Sequence, residues 1–575
     1  MHYTTTETAA PDPVRTLRPA RQVMQLPRLG SLFQTRLSFT RSLVRQMLAE
    51  RWQIETQRFA LDDEGYGEAV YRIQTPGGIY SFVLFSRYLD PALRSDRVIA
   101  QQWDLAFALC EGELMADDIE QLAANVPRQE AGRCSARVLT LSRANRSQRN
   151  FNAVIDRLAV GRQPDIAWFE SVGYLYRTTA VYGNGKFGLA DYDRLRSDAT
   201  FGRPFSAQMF TVFMVREFTL TQVEHIARRR APATAVTLVP ELKRYIGIGN
   251  STGLGMAPFL ISHPQLIDRW ITQRETALAC ALAHTPDRGR LKRLTALIER
   301  AITHMRETRT DDTEQASADQ RTMDELVVLQ RWLAARRETR LLTGWRTLVR
   351  HAERRWSLQT QELLNSLLME LYPAAINPLE DDMTVEDPAP IDSSAPLGEL
   401  RELIETRYAW ALAYDFSDPQ AQHYFWYRAA AKEEPRLGQR ARDIGAEREI
   451  GLDVARAVRR CYDAVCQYSS TTPEADVIDF VLAHPAHRAA VRRVQNLGPL
   501  PYGDIRANLL GHDCRPLDLL RCKLSFFGAS KFDPRSDRWV RITLFQGAPL
   551  AEDLADAPVE YDWFLPVSPV ATMAG

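Results

Sequence analysis

The stretch GEAVYRIQTPGGIYSFVLFS, from Gly67 to Ser86, carries the strongest strand signal in the chain. Apolar and polar residues alternate on both sides of Thr75-Pro76-Gly77-Gly78, and alternation around a glycine-containing turn is typical of a β-hairpin. Residues 31–52 space their apolar side chains at the helical period, which returns over residues 265–308 and 323–371. The sequence therefore predicts a mainly α protein with smaller β elements, of the α+β class, with an N-terminal β-hairpin and long amphipathic helices.

A chain of 575 residues is longer than one hydrophobic core usually organises, so several domains are expected. Changes in composition predict six segments: a disordered N-terminal tail (1–30), an α+β region (31–140), a central region with glycine-rich loops (141–305), a helical region (306–375), an acidic Pro/Ser-rich linker or loop (376–397) and a C-terminal helical region that ends in a strand (398–575). The fifth segment is assigned as a linker because it holds too little apolar surface to order itself.

Charge and composition limit the classes of partner. Basic and acidic residues balance at 72 each, so the chain as a whole has no net field that would attract nucleic acid or an anionic membrane. No run of about 18 apolar residues is present, and seven scattered cysteines do not form a disulfide framework in a chain of this length. We therefore expect a soluble cytoplasmic protein without a nucleic-acid or membrane partner, and homo-oligomer formation stays open.

The basic residues are 66 arginines and only six lysines. Arginine does not give up its proton in proteins, whereas a desolvated lysine can act as a base or as an amine nucleophile. Each lysine is therefore a stronger chemical candidate than in a chain that uses lysine freely. Lys186 and Lys531 stand beside glycine and serine residues that suggest a site.

Two glycine-rich segments predict backbone that a ligand can approach. GIGNSTGLG, residues 247–255, is interpreted as a loop ahead of a helix, in which glycines expose main-chain N–H groups to an anion. Its spacing matches neither the dinucleotide-binding nor the phosphate-loop motif, and a tight structural loop explains the same glycines. YGNGKFG, residues 182–188, carries Asn184 and Lys186 at the tip of a second loop, where a solvated turn is the alternative.

Arginine and glutamate patterns add further candidates. In SRANRSQRN, residues 142–150, a helix would align Arg143, Arg146 and Arg149 in one stripe that could hold a carboxylate or phosphate. In MVREFTLTQVEHIARRR, residues 214–230, Glu217 lies on a predicted helix and could exchange a proton. Solvated ion pairs on a helix surface explain both patterns without a ligand.

The C-terminal part supplies a second group of polar residues. Ser469 belongs to a run of hydroxyl side chains in CQYSSTTPEAD, residues 466–476, and part of that run is explained by a helix start. His512 lies in GHDCRP, and Lys531 follows GAS a short distance later. No spacing typical of a metal site is present.

Together these features favour an enzyme that acts on a small anionic metabolite, carrying a carboxylate or a phosphate, by acid–base chemistry as a lyase, isomerase or transferase. Two alternatives stay open: a non-catalytic helical regulatory or assembly protein, and a nucleotide-dependent ligase or kinase. The sequence identifies no cofactor. The candidate catalytic residues are Lys186, Glu217, His512 and Lys531, and the candidate substrate-binding residues are Arg146, Asn184, Asn250, Ser251, Thr252, Gly253 and Ser469.

The hypothesis depends on one geometric condition. The central stretch around Lys186 and Asn250 and the C-terminal stretch around His512 and Lys531 are far apart in sequence. Both must fold against each other and line a shared cavity for the candidate residues to act on one molecule.

Overall fold

The computed structural model describes residues 17–90, 92, 103–125, 137–178, 189–190, 192–253, 264–337, 344–383, 389–415, 417, 454–505, 516–536, 539–560 and 562–569. In these residues the chain combines many helices with a mixed β-sheet, which confirms the α+β class. No helix among them combines the length and the apolar character needed to cross a bilayer.

The strands of the described chain form one sheet. Their bounds are β1 Gln53–Leu61, β2 Gly67–Thr75, β3 Gly78–Ser86, β4 Leu105–Glu111, β5 Val138–Arg146, β6 Tyr174–Thr178, β7 Leu189–Ala190, β8 Gly247–Gly253, β9 Lys531–Ser536 and β10 Trp539–Leu544. The order across the sheet is β1-β2-β3-β4-β5-β6-β8-β10-β9, and β7 pairs with β5 beside this path. β6 and β8 run parallel, whereas the other described pairs are antiparallel.

Helices cover the sheet and extend away from it. Their bounds are α1 Ala20–Val23, α2 Leu26–Leu29, α3 Phe39–Glu50, α4 Ala116–Asn125, α5 Gln148–Ala159, α6 Ala167–Ser171, α7 Tyr192–Arg196, α8 Ser206–Arg230, α9 Pro240–Tyr245, α10 Pro264–Ala283, α11 Arg288–Glu307, α12 Thr313–Arg337, α13 Trp345–Arg355, α14 Leu358–Met369, α15 Pro373–Ile376, α16 Leu397–Arg407, α17 Ala409–Leu412, α18 Val454–Thr471, α19 Val477–Ala483, α20 Arg488–Leu497 and α21 Pro516–Phe527. The longest of those on the sheet, α8, packs across β4, β5, β6 and β8.

The region from Gly67 to Ser86 forms β2 and β3, which pair antiparallel with Gly67 opposite Ser86 and Thr75 opposite Gly78. β4 continues the antiparallel order on the other side of β3. In β2, Ala69, Val70 and Tyr71 are buried in succession, and buried positions alternate with more exposed ones only from Tyr71 to Thr75; β3 is buried over most of its length. This part of the sheet is therefore built from strands that are neighbours in sequence.

The segment Gly247–Gly253 is a strand, so its interpretation as a loop is wrong. β8 lies between β6 and β10, with Gly249 opposite Thr543 and Asn250 opposite Ile542. The glycines serve close packing of strands: a Cβ on Gly247 would lie 2.5 Å from the carbonyl oxygen of Leu544. A side chain larger than that of glycine would collide with the neighbouring strand. This explains why β8 is rich in glycine, although glycine has a low propensity for strands.

Arg216 joins three parts of the chain at this end of the sheet. Its side chain, on α8, is completely buried, and its Nε donates to the carbonyl oxygen of Ile246 at 2.9 Å, directly before β8. Nη1 and Nη2 donate to the carbonyl oxygens of Pro549 and Ala548 at 2.9 and 2.8 Å, just beyond β10. Buried carbonyl groups need a hydrogen-bond donor from the protein. By supplying it, the guanidinium stabilises the position of β8 and of the chain after β10.

The N-terminal region differs from its prediction. Residues 17–30 belong to the segment predicted to be a disordered tail, yet they contain α1 and α2, and Val23, Met24, Leu26 and Leu29 are buried. Arg18 pairs with Glu275 and Glu362 at 2.7 Å, and Arg28 pairs with Glu362 at 2.6 Å. Ion pairs with α10 and α14 thus hold in place a segment whose composition is typical of a disordered tail. Residues 1–16 lie outside the described residues.

The acidic segment 376–397, predicted to be a linker or loop, packs against the rest of the chain near its start. Met383 is buried, and the buried carboxylate of Glu380 accepts hydrogen bonds from Ser42 at 2.6 Å and Arg203 at 3.0 Å. Glu380 and Asp381 are therefore partners of Arg203, which composition does not reveal. Residues 384–388 lie outside the described chain.

Replacing Arg216 by methionine should lower the free energy of unfolding by about 3 kcal/mol or more, because several buried carbonyl groups lose their donor. Urea unfolding followed by circular dichroism measures the change. Arg354→Met, at an exposed position of α13, is the matched control and should stay within about 0.5 kcal/mol of the native chain. Equal stability of the two variants would show that Arg216 does not hold β8 and the C-terminal segment together.

Candidate functional site

A cleft of about 980 Å³ opens where β5, β6, β9 and β10 meet α5 and α6. Its lining side chains come from distant parts of the chain and are mostly polar. They are Asn145, Arg146, Ser147, Arg149, Asn150, Ala153, Ala167, Trp168, Ser171, Val172, Tyr174, Arg177, Arg309, Asp311, Asp533, Arg535 and Arg541.

Alternation along β9 and β10 directs charged side chains to this cleft. Val540, Ile542 and Leu544 are completely buried in the core, whereas Arg541, between them, lines the cleft. On β9, Asp533 pairs in register with Arg541, and both strands place their charges on one face. The C-terminal strands thus contribute a core face and a cleft face.

Tyr174 forms part of the cleft floor. Its side chain is only 3% exposed, and burial raises its pKa. The ring lies across Gly249, where an added Cβ would come within 2.5 Å of the ring carbons. Within the described residues, its hydroxyl group forms no hydrogen bond.

Positive charge dominates the lining. Six arginines face two aspartates, an excess of four positive charges. Arg535 pairs with the exposed Asp311 at 2.8 Å, while Arg541 approaches Asp533 only to 3.7 Å. No described side chain forms an ion pair or a hydrogen bond with Arg149 or Arg177. Within the described residues, these two arginines therefore have no acidic partner.

The N-terminus of α5 opens into the same cleft. Its N-cap residue Ser147 makes no side-chain capping hydrogen bond, and Ser147 and Asn150 both line the cleft. The side-chain amide nitrogen of Asn150 is buried without a hydrogen-bond partner in the described chain. Free N–H donors and the positive end of a helix dipole both favour an anion.

Asp533 is the carboxyl group in the cleft that is best suited to proton transfer. It is 2% exposed, and burial raises its pKa although Arg541, Lys531 and Arg535 lower it. Thr310 donates a hydrogen bond to Oδ1 at 3.1 Å. The pKa of Asp311 is lowered instead, because its exposed carboxylate accepts a hydrogen bond from Arg535.

Arg146 borders the cleft, but its guanidinium is occupied by other residues. The sequence suggested a helical stripe of three arginines; instead Arg143 and Arg146 lie on β5 and Arg149 lies on α5. The Nε of Arg146 donates to the hydroxyl of Tyr176 at 2.8 Å, and its guanidinium faces the ring of Phe151 at 4.5 Å. Only Arg149 of this stripe reaches the cleft without such partners.

The candidates on β8 and β9 lie in one sheet, separated by β10, and the side chains of Asn250 and Lys531 contact backbone carbonyl groups of the protein. Asn250 is completely buried, and its side-chain amide donates to the carbonyl oxygen of Thr178 at 3.1 Å. Ser251, Thr252 and Gly253 belong to the backbone of β8. Lys531 donates to the carbonyl oxygens of Glu170 and Ser171, the latter at 2.6 Å, and burial lowers its pKa to about 8.

Two further candidates, Glu217 and Ser469, do not line the cleft. Glu217 lies on α8, where Oε2 accepts the backbone N–H of Ala551 at 3.0 Å and burial raises its pKa. Ser469 lies on α18 and does not line the cleft. Asn184, Lys186 and His512 lie outside the described residues.

Sequence reasoning missed Trp168, Tyr174, Arg177, Asp533, Arg535 and Arg541. A signal for the last three was present, because KFDPRS and RWVRITL alternate charged residues with apolar ones, as expected for strands with one polar face. No signal of this kind marks Trp168 or Tyr174, whose position depends on tertiary packing.

Comparisons of the chain with protein-family models, with curated proteins and with solved structures found no match. Within the described ranges, no group of three or more histidine, cysteine, aspartate or glutamate side chains is arranged to hold a metal ion.

Replacing Gly249 by alanine should lower the free energy of unfolding by about 1–3 kcal/mol, because the new methyl group and the buried Tyr174 ring cannot occupy the same space. Thermal unfolding measures the effect. Gly398→Ala is the control, since no atom lies within 4 Å of the added Cβ on α16. If both variants unfold at the same temperature, Gly249 is not needed to seat Tyr174.

Proposed function

We propose that the protein binds a small anionic metabolite, carrying carboxylate or phosphate groups, in the arginine-lined cleft and transforms it by acid–base chemistry. The observation that carries this proposal is the convergence of six arginines with two aspartates in one cavity. Because the whole chain is neutral, this excess is a local property of the cleft.

The size of the cleft and the chemistry of its charges agree with such a ligand. About 980 Å³ lies at the upper end of the range for small-molecule sites. Guanidinium groups donate paired hydrogen bonds to carboxylate and phosphate oxygens and keep their charge at any physiological pH. A ligand with several negative charges offsets the repulsion among the arginines, which an uncharged ligand does not.

The residues divide into two roles. Arg177 and Arg541 on the floor, with Arg149 and the N-terminus of α5 on the wall, would bind and orient the anion. Asp533 would hold or accept the transferred proton at its carboxyl group. A raised pKa suits this role, since proton transfer is most efficient when the pKa of the group approaches the working pH.

The double substitution Arg177→Met and Arg541→Met should weaken binding of inorganic tripolyphosphate or citrate by about 100-fold, because two charge-assisted contacts are lost. Isothermal titration calorimetry measures the dissociation constants, and the melting temperature reports on folding. Arg354→Met, remote from the cleft, should bind like the native chain. If neither anion binds the native chain, or if the folded double variant binds equally well, the proposal is wrong.

Asp533→Asn should leave the affinity for a converted ligand nearly unchanged and reduce its conversion at least 100-fold, the usual contribution of a general acid or base. Conversion is followed by NMR of the bound compound under single-turnover conditions. Asp311→Asn, a second carboxylate of the cleft, should retain a rate within tenfold of the native chain. Conversion by Asp533→Asn at the native rate would exclude this carboxyl group from proton transfer.

A further inference from the structure

Part of the helical side of the cleft is apolar. Ala153, Ala167, Trp168 and Val172 line it, and all come from α5, α6 or the residue that follows α6. Arg177 and Arg541 line the cleft from the sheet, and Arg149 lines it from the first turn of α5. A ligand that fills the cleft therefore meets an apolar patch beside cationic groups.

Trp168 is the largest apolar group of the helical wall. Its side chain is half-buried, and no aromatic ring or arginine of the described chain stacks on its indole. An indole face that is held at the edge of a cavity without a partner offers a platform for a planar ring. Stacking on such a face tolerates many ring systems because it requires only a π-face.

The donors at the N-terminus of α5 and on the floor suit phosphate oxygens. The uncapped first turn behind Ser147 and the unpartnered side-chain amide of Asn150 lie on one wall. The hydroxyl of Tyr174, whose side chain is more than nine-tenths buried, lies on the floor near Arg177 and Arg541. Phosphate groups accept hydrogen bonds from all three donor types and prefer helix N-termini.

We infer, on the basis of the proposed function, that the anion is a phosphate ester of a planar ring, the chemistry of a nucleoside polyphosphate. The ring stacks on Trp168 and contacts Ala153, Ala167 and Val172. The phosphate chain extends over Tyr174 towards Arg177 and Arg541. A single inorganic phosphate would leave most of the 980 Å³ cavity to solvent.

Calorimetric titration with ATP, inorganic tripolyphosphate and adenosine tests this inference. ATP should bind at least tenfold more tightly than tripolyphosphate, and adenosine should bind weakly because it carries no charge. Trp168→Ala should weaken ATP binding roughly tenfold or more without changing the affinity for tripolyphosphate. Trp168→Phe, which keeps a planar ring, should recover most of the lost affinity.

Two results would overturn the inference and leave the proposed function intact: equal affinities for ATP and tripolyphosphate, or ATP binding that is unchanged in Trp168→Ala. A single-stranded oligonucleotide that binds more tightly than ATP would also overturn it, since the ligand would then be a nucleic acid. Loss of tripolyphosphate binding in the arginine double variant supports the proposed function and is independent of the outcome at Trp168.

Discussion

The buried guanidinium of Arg216 is the interaction on which the architecture of the cleft depends. It lies on α8 and satisfies carbonyl oxygens directly before β8 and just after β10, two segments about 300 residues apart in sequence. These contacts fix the two strands side by side, while Gly247 and Gly249 let the strands and the ring of Tyr174 approach closely. A lysine could not replace this arginine, since its single ammonium group cannot reach carbonyls in several directions.

Once β8 and β10 are adjacent, the cleft follows from strand geometry. The apolar residues of β10 enter the core, so the alternate residue Arg541 must face the other side, where Asp533 of β9 lies opposite it. β6 brings Tyr174 and Arg177 to the same surface through an irregular register with β8. One face of each strand packs in the core, and the opposite face therefore carries the charges of the cleft.

Parts of this arrangement are visible in the sequence and others are not. The α+β class follows from local patterns, and RWVRITLFQ shows the alternation of β10. GIGNSTG lacks the β-branched residues that mark most strands, because its glycines serve contacts made only in the folded sheet. Composition singles out Lys531 as one of only six lysines, and burial lowers its pKa to about 8. Its carbonyl partners on α6 are distant in sequence, so the sequence does not reveal them.

The arginines of the cleft differ from several buried arginines elsewhere in how many acidic partners they have. Several buried arginines elsewhere are paired with acids: Arg274 is paired with Glu275 and Glu362 at 2.8 and 2.6 Å, and Glu362 also pairs with Arg18 and Arg28. In the cleft, Arg149 and Arg177 have no acidic partner among the described residues, and Asp533 stays 3.6 Å or more from Arg535 and Arg541. Among the described residues, fewer acids therefore face the arginines of the cleft than face Arg18, Arg28 and Arg274, and this difference supports the proposal that the cleft binds an anion, since a bound counter-charge stabilises adjacent cations.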